Sequence, residues 1–293
     1  MIQHKPVVVI LVDHKIRDLP VAVLIAFHLE QLGMEVHLEP LESYKGVLAA
    51  FRPDPIIFHH LLASHLVEYS KRLHKMGVLV AVLFSEGLTY GKEMRLFSAG
   101  RNHGAHIDLF FCWNEPIKEA MREVGADSST RIEVVGPPRM DFYFPPWSGT
   151  NGAEGGSRRS RPKILLATNL GLAPYKELPP VEADKLFDIW SKRIASYKDY
   201  WGAIEVQYRS RSRVLDYMRQ LLESDRYDVV LRPHPREGHE YYHDWVESLP
   251  VALQRSIVVD GTSKISELII DCDLEISLDT CTTALEPWIA VVP

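Results

Sequence analysis

The stretch VVVILVDHK at residues 7–15 decides the fold class, because a continuous apolar run ends there in polar residues. Such a short, uninterrupted run is typical of a strand covered on both faces, as strands of a parallel sheet are. Apolar residues recur at helical spacing over residues 19–32, and Gly33 is placed to end that helix. Residues 34–38 alternate between apolar and polar. The opening of the chain is therefore predicted to be a strand at residues 7–12, a helix at residues 19–32 and a strand at residues 34–38.

The same alternation of strands and helices recurs in two blocks. In the first block, further strands are predicted at residues 55–58, 78–84, 107–113 and 132–135, and helices at residues 61–76 and 116–123. In the second block, strands are predicted at residues 163–167, 229–231, 257–259 and 274–277, and helices at residues 183–197, 212–224 and 265–271. This alternation favours an α/β fold with two doubly wound parallel sheets and right-handed crossovers.

A segment rich in glycine and serine separates the two blocks. Residues 148–161 have no apolar periodicity, which is typical of a linker or an exposed loop. The sequence therefore predicts an N-terminal domain at residues 1–147 and a C-terminal domain at residues 162–293. Residues 289–293 resemble the start of one more strand, so we expect the C-terminal domain to be incomplete.

Composition and charge argue against several classes of protein. The 46% hydrophobic and 25% charged residues indicate a globular chain, and the net charge of −6 argues against a general nucleic-acid binder. The three cysteines form no C-x-x-C pair, so neither a zinc site nor a disulfide framework is predicted. Without a signal-peptide core or a run of about 20 apolar residues, we expect a cytoplasmic protein, with peripheral contact to the inner membrane left open.

Ser85-Glu86-Gly87 follows the predicted strand at residues 78–84. Ligands of open α/β sheets bind beyond the carboxyl ends of the strands, so a carboxylate here can face a substrate. Glu86 could then accept the proton of an acceptor hydroxyl, while Gly87 is free to take a positive φ. An acidic residue that caps a helix or lies in a loop is an equal alternative.

A basic stretch with two prolines, RPHPR, follows the predicted strand at residues 229–231. Pro235 and the proline before His234 restrict the backbone, and guanidinium groups suit phosphate oxygens. The stretch therefore predicts a clamp for a phosphate or diphosphate, formed by Arg232, His234 and Arg236. The alternative is a rigid strand exit with solvated arginines.

Residues with hydroxyl groups follow the predicted strand at residues 274–277. Ser277, Thr282 and Thr283, together with backbone amides at the start of a helix, are expected to form a phosphate cradle. Thr282 or Thr283 could instead cap that helix. Glu286 lies one turn further on, where it could accept ribose hydroxyls or complete a capping box, and both interpretations stay open.

Other polar residues are weaker candidates for a site. Asn169 follows the predicted strand at residues 163–167, and a basic group after the first strand could steer an anionic substrate. For each of these, a solvated loop is the alternative. Histidines cluster after the third predicted strand, but no carboxylate is spaced to complete a metal site. These weaker candidates are Asn169, Lys15, Arg17, His59, His60 and His65. The basic run at residues 209–213 is expected to be a solvated face of a helix.

Five segments together resemble one family of bacterial enzymes. VGPPRMD at residues 135–141 resembles the G-N-P-R-x-D segment that closes the N-terminal domain in bacterial surface-carbohydrate biosynthesis proteins, with Pro137 replacing the usual Asn. The chain is thereby similar to GT-B glycosyltransferases that use CMP-activated acidic sugars, the sialyltransferases and Kdo transferases of capsule and lipopolysaccharide assembly. Further segments similar to that family follow its order, at residues 13–17, 85–87, 232–235 and 277–283.

This resemblance implies a GT-B fold, in which two Rossmann-like domains face each other across a cleft. The family's acidic-Gly motif, which serves the acceptor, falls on Glu86-Gly87. Its His-Pro motif and its Ser/Thr motif, which bind the phosphate of CMP, fall on His234-Pro235 and Thr282-Thr283. The N-terminal domain would then hold a glycan or glycolipid acceptor, and the C-terminal domain the nucleotide-sugar donor.

The implied reaction is transfer of a Kdo-like or sialic-acid-like sugar from CMP to a surface polysaccharide or glycolipid, with Glu86 and His234 as catalytic residues. No cofactor or metal is expected, because positioning and phosphate neutralisation would supply most of the catalysis. Three alternatives stay open. They are a polyol-phosphate transferase that uses CDP-glycerol, a UDP-sugar epimerase, and a non-catalytic assembly partner with the same fold.

Overall fold

The computed structural model describes residues 5–85, 87, 91–148, 160–192, 194–278 and 282–292. The chain divides into two compact units, Met1–Arg139 and Met140–Pro293. Each unit contains one sheet whose strands all run parallel, with helices in the connections. The predicted α/β class with two parallel sheets is therefore confirmed.

The first unit has a six-stranded sheet in the order β2-β1-β3-β4-β5-β6. Four successive residues at the centre of β1 are buried, as expected for a strand covered on both faces. The elements are β1 Val7–Val12, α1 Leu19–Gln31, β2 Glu35–Pro40, α2 Val47–Phe51, β3 Pro55–Phe58, α3 Ser64–Lys75, β4 Leu79–Leu83, α4 Lys92–His103, β5 Leu109–Cys112, α5 Glu115–Glu123 and β6 Arg131–Val134.

The first sheet reverses its direction of winding at β1. From β1 the chain passes to β2 on one side and then returns to β3 on the other, so that Val9 pairs with His37 and with Ile56. A ligand crevice forms at such a switch point, outside the carboxyl ends of the strands. The segments that follow β1, β3, β4 and β5 meet at this edge.

The second unit has a four-stranded sheet in the order β10-β7-β8-β9, with the switch of winding between β7 and β10. Four of the five residues of β7 are buried. The elements are β7 Lys163–Ala167, α6 Pro180–Ser191, α7 Tyr200–Glu223, β8 Asp228–Arg232, α8 His239–Glu247, α9 Val251–Gln254, β9 Ile257–Val259, α10 Ile265–Ile270, β10 Leu274–Ser277 and α11 Glu286–Ala290.

The structure divides the chain earlier than the linker suggests. Met140 and Tyr143 are buried in the second unit, where they pack with Leu165, Ile269 and Cys272. Their burial ties this segment to the second unit, whereas the sequence assigned residues 140–147 to the N-terminal domain. Most of the predicted linker, residues 149–159, lies outside the described residues.

The prediction of a further strand at residues 289–293 is wrong. The short helix α11 Glu286–Ala290 includes residues 289 and 290, and residues 291 and 292 lie outside any strand. Pro287 lies in the first turn of this helix, where proline is tolerated. The sequence analysis also missed α4 and α8, whose polar exposed faces weaken the apolar periodicity. Within the part of the chain that is described, no helix is both long and apolar enough to cross a membrane.

Candidate functional site

A buried carboxylate organises the carboxyl edge of the second sheet. Glu237 is 5% exposed and follows β8 by five residues. Its Oε1 accepts hydrogen bonds from Thr168 Oγ1 at 2.8 Å, from the Leu170 backbone N–H at 2.9 Å and from the His234 backbone N–H at 3.2 Å. The Tyr242 hydroxyl donates to its other oxygen. Glu237 therefore holds together the loops that follow β7 and β8.

His234 lies half-buried in the loop that Glu237 holds. Its Nδ1 accepts a hydrogen bond from the Arg236 backbone N–H at 3.2 Å, so the neutral ring carries its proton on Nε2. Burial lowers the pKa of His234, and the nearby Arg236 and Arg232 charges add to this effect, while Glu237 opposes it. The ring is thereby kept as a neutral Nε2–H donor, a suitable partner for a phosphate oxygen.

The arginines around His234 have different surroundings. The Arg232 guanidinium turns to the end of β9, where Nη1 donates to the Asp260 backbone carbonyl at 2.9 Å and lies 3.6 Å from Asp260 Oδ1. Burial lowers the pKa of Arg232, although Asp260 opposes this effect. Pro235 and Arg236 are exposed. The structure thus places Arg232 as a brace between β8 and β9, and a phosphate at this position would compete with Asp260.

The predicted hydroxyl cradle after β10 is described only in part. Ser277 donates to the Glu275 carboxylate, and Thr282 and Thr283 are half-buried in the 3-10 helix Thr282–Ala284. Asp279, Thr280 and Cys281 lie outside the described residues. Asn169, at the end of β7, is half-buried.

The surroundings of Glu286 fit neither of its two predicted roles. It is 3% exposed, and the Tyr143 hydroxyl donates to its carboxylate. A ribose would have to displace Tyr143 to reach this group. Glu286 is the first residue of α11, and the residue before it makes no side-chain cap, so no capping box forms.

A pocket of about 270 Å³ lies at the switch point of the second sheet. Leu170 reaches it from the end of β7 and Leu278 from the end of β10, while α7 forms the remaining wall. The lining is mainly apolar, with Gln207 and Ser210 as the polar groups. Such a pocket suits a planar, weakly polar ring, and the apolar residues of α7 gave no sign of it in the sequence.

Gly87 has a different structural role from the predicted one. Its φ is not positive, but a Cβ at this position would overlap the indole ring of Trp113. The Gly87 carbonyl accepts a hydrogen bond from Asn114 Nδ2 at 3.1 Å. Glycine is therefore required for close packing against Trp113, the residue that follows β5. Glu86 lies outside the described residues, so its role as a base stays a prediction.

The two basic residues after β1 that were predicted to face an anion have different surroundings. Lys15 is exposed. Arg17 donates to Asp18 from Nε at 2.7 Å and from Nη2 at 2.9 Å, and its Nη2 also contacts Asp13 Oδ2 at 3.1 Å. Two carboxylates thus face the Arg17 charge, which contradicts the predicted steering of an anionic substrate by this residue.

Carboxylates lie beside two of the clustered histidines, for which the sequence showed no suitably spaced carboxylate. His59 Nδ1 is 3.9 Å from Asp18 Oδ1, and His60 Nε2 is 3.4 Å from Asp13 Oδ2. His59 and Asp18 both line a small pocket at the carboxyl edge of the first sheet. Sequence reasoning missed Glu237 and Asp18 as site residues, and it considered His59 only as a possible metal ligand. Their only local signal was a polar residue shortly after a strand.

Comparisons with known proteins bear on the fold. No protein-family model and no curated protein matches the chain. UDP-N-acetylglucosamine 2-epimerase from Rickettsia bellii is similar over 99% of this chain and 78% of its own, with a TM-score of 0.55 and 13% identity. HepE from Anabaena, in complex with UDP and glucose, is similar over 98% of this chain and 79% of its own, with a TM-score of 0.49 and 11% identity. The likeness to the epimerase shows that the chain has a two-domain Rossmann-like fold of the GT-B type.

Proposed function

We propose that the protein is a nucleotide-sugar-dependent glycosyltransferase and that its second unit binds the donor. The single observation that carries this proposal is the His234 loop. The buried carboxylate of Glu237 fixes the loop by accepting a hydrogen bond from its backbone, and His234 keeps a neutral Nε2–H as a donor. A donor held in advance of binding loses little entropy, which favours recognition of a phosphate oxygen.

The pocket at the switch point supports a nucleotide rather than a simple phosphate. Leu170 joins the two features, because its backbone N–H donates to Glu237 and the same residue lines the 270 Å³ pocket. A nucleobase in this pocket and a phosphate at His234 would therefore lie against two neighbouring loops that Glu237 joins. Nucleotides commonly bind at such switch points in α/β sheets.

Two observations favour different nucleotides. The sequence motifs favour a CMP-activated acidic sugar of the Kdo or sialic acid type and an acceptor in capsule or lipopolysaccharide assembly. The likeness in fold to a UDP-N-acetylglucosamine 2-epimerase favours a UDP-sugar, and it makes epimerisation of a UDP-sugar the second candidate function. Glu86, Thr282 and Thr283 keep their predicted roles in this proposal.

Calorimetric titration with UDP, CMP and CDP tests the proposal. We expect saturable binding of UDP or CMP, and weaker binding by roughly 1–3 kcal/mol in His234→Ala, the usual range for a hydrogen bond to a charged group. The melting temperature of this variant should change little. His243→Ala, which removes an exposed histidine from α8, is the matched control and should bind as the unmodified protein does.

Three results would count against the proposal. If none of the nucleotides binds, the donor site is wrong. If His234→Ala lowers the melting temperature but leaves affinity unchanged, the residue has a structural role only. If CDP binds in preference to UDP and CMP, the polyol-phosphate alternative is favoured. Mass detection of the product from the preferred donor then separates transfer from epimerisation.

A further inference from the structure

His59 is a buried imidazole in a pocket of the first unit. It directly follows β3 and is 2% exposed. Among the described residues, neither of its ring nitrogens has a hydrogen-bond partner. A polar group buried without a partner costs free energy, so such a group calls for a specific explanation. It lines a pocket with Asp18, Phe84, Ser85 and Trp113, at the carboxyl edge where β1, β3, β4 and β5 end.

Asp18 determines which ring nitrogen is left for a ligand. Its carboxylate is fixed by the His14 backbone N–H at 3.0 Å and by the Arg17 guanidinium at 2.7 Å. The same carboxylate lies 3.9 Å from His59 Nδ1. A proton on Nδ1 is therefore favoured by the neighbouring negative charge, and the lone pair is then on Nε2.

The charge states of this pair agree with that tautomer. Burial lowers the pKa of His59, and Arg17 and His60 act in the same direction, whereas Asp18 and Asp13 oppose it. Burial alone would raise the pKa of Asp18, but hydrogen bonds from Arg17, and the charge that His59 carries once it is protonated in acid, bring this pKa below its ordinary value. The pair is a neutral imidazole beside a carboxylate at neutral pH.

Charge and size restrict the chemistry of the ligand. The Arg17 charge already faces Asp13 and Asp18, so an added anion would meet two carboxylates. The pocket has a volume of about 20 Å³, and a cavity of about 10–15 Å³ is the least that holds one water molecule. The space therefore suits one neutral, water-sized polar group and is too small for a phosphate or a whole sugar ring.

We propose that this pocket binds a single hydroxyl group of a sugar substrate, whose O–H donates a hydrogen bond to Nε2 of His59. Asp18 is then a positioning residue, which fixes the ring from its other side. The identification of the hydroxyl as a sugar hydroxyl rests on the proposed function. The hydroxyl-binding site itself rests on the first unit alone.

Nuclear magnetic resonance of the histidine side chains in the full chain tests this inference. We expect His59 to be the Nδ1–H tautomer, and its Nε2 signal to shift saturably with glucose or N-acetylglucosamine but not with phosphate or acetate. His59→Phe keeps an aromatic ring without an acceptor, and should weaken sugar binding about five- to tenfold, as expected for loss of one neutral hydrogen bond. His65→Phe, on an exposed face of α3, is the matched control.

The inference is overturned if His59 is the Nε2–H tautomer, if no sugar shifts its signal, or if the anions shift it in preference to sugars. The titration of the unmodified protein decides this even if His59→Phe does not fold. Nucleotide added to the same sample separates the two proposals. If sugar binds and nucleotide does not, the hydroxyl-binding site at His59 is supported and the proposed donor site is rejected. If nucleotide binds and sugar does not, only the hydroxyl-binding site is rejected.

Discussion

At the scale of single residues, Gly87 shows how tightly the first unit is packed around its candidate site. The residue lies against Trp113, which is itself 9% exposed and lines the pocket of His59. Arg139 stacks over the same indole, with its guanidinium carbon 4.8 Å from the ring centroid. Any side chain at residue 87 must therefore displace Trp113 or the loop.

We predict that Gly87→Ala destabilises the first unit by roughly 1–3 kcal/mol, the usual cost of an extra methyl group in a well-packed region. Urea unfolding measures the loss of stability. Amide hydrogen exchange should be faster in β4 and β5, next to the substituted residue. Gly100→Ala is the matched control, because Gly100 is exposed within α4 and its Cβ would meet no atom within 4 Å. That variant should be stabilised slightly, since alanine favours a helix over glycine. Equal stability of the two variants would contradict the close contact with Trp113.

At the scale of elements, α7 departs at one position, Arg211, from the solvated basic face that the sequence predicted, while Arg209 and Arg213 are exposed. Arg211 is 3% exposed. Its Nη2 donates to Glu177 Oε1 at 2.5 Å, and its guanidinium carbon lies 3.8 Å from the centroid of the Tyr241 ring. One side chain of α7 thus contacts α8 and the segment before α6. Periodicity alone could not reveal this, because the residues it contacts come from two other segments.

We predict that Arg211→Lys lowers the free energy of unfolding by about 1–2 kcal/mol, although the charge is kept. Lysine has no planar group to stack on Tyr241, and cation–π contacts of desolvated groups contribute about 2 kcal/mol. Urea denaturation measures the change. Arg213→Lys, at an exposed position two residues away, should leave stability unchanged. A similar loss in both variants would show that helix propensity, rather than the contact, is responsible.

At the scale of the whole molecule, each unit contains a histidine whose pKa is lowered by burial, His59 in the first and His234 in the second. Both would have a pKa of 6.5 in the unfolded chain. Between the lowered pKa and 6.5, the unfolded chain binds more protons than the folded one. The stability that these two neutral histidines contribute is therefore fully present above pH 6.5, and it is lost as the pH falls from 6.5 towards their lowered pKa values.

We predict that the free energy of unfolding decreases between about pH 7.5 and about pH 5.5. The free energy of unfolding of His59→Phe should decrease less over the same range, because one of the two histidines is removed. Urea denaturation at several pH values provides the measurement, with His65→Phe as the control. The raised pKa of Glu275 acts in the opposite direction at lower pH, so the difference between variants is the decisive quantity. Identical pH profiles for all three proteins would exclude His59 as a buried neutral group.

The sequence by itself determined the class of fold and most of the elements. The strands Val7–Val12, Pro55–Phe58, Lys163–Ala167, Ile257–Val259 and Leu274–Ser277 have the predicted bounds. A strand buried on both faces needs a continuous apolar run, and that requirement is local in the chain. The position of His234 shortly after a strand was likewise predictable, because strand ends are visible in the sequence.

Only the tertiary structure decided what surrounds these residues. Glu237 meets Thr168 across 69 positions of sequence, and Asp18 meets His59 after the chain has passed through β2. These contacts depend on the order of strands in each sheet, which a pattern of apolar residues does not specify. Burial then decides the chemistry, since the same histidine or arginine has one pKa in solvent and another beside a carboxylate in the interior.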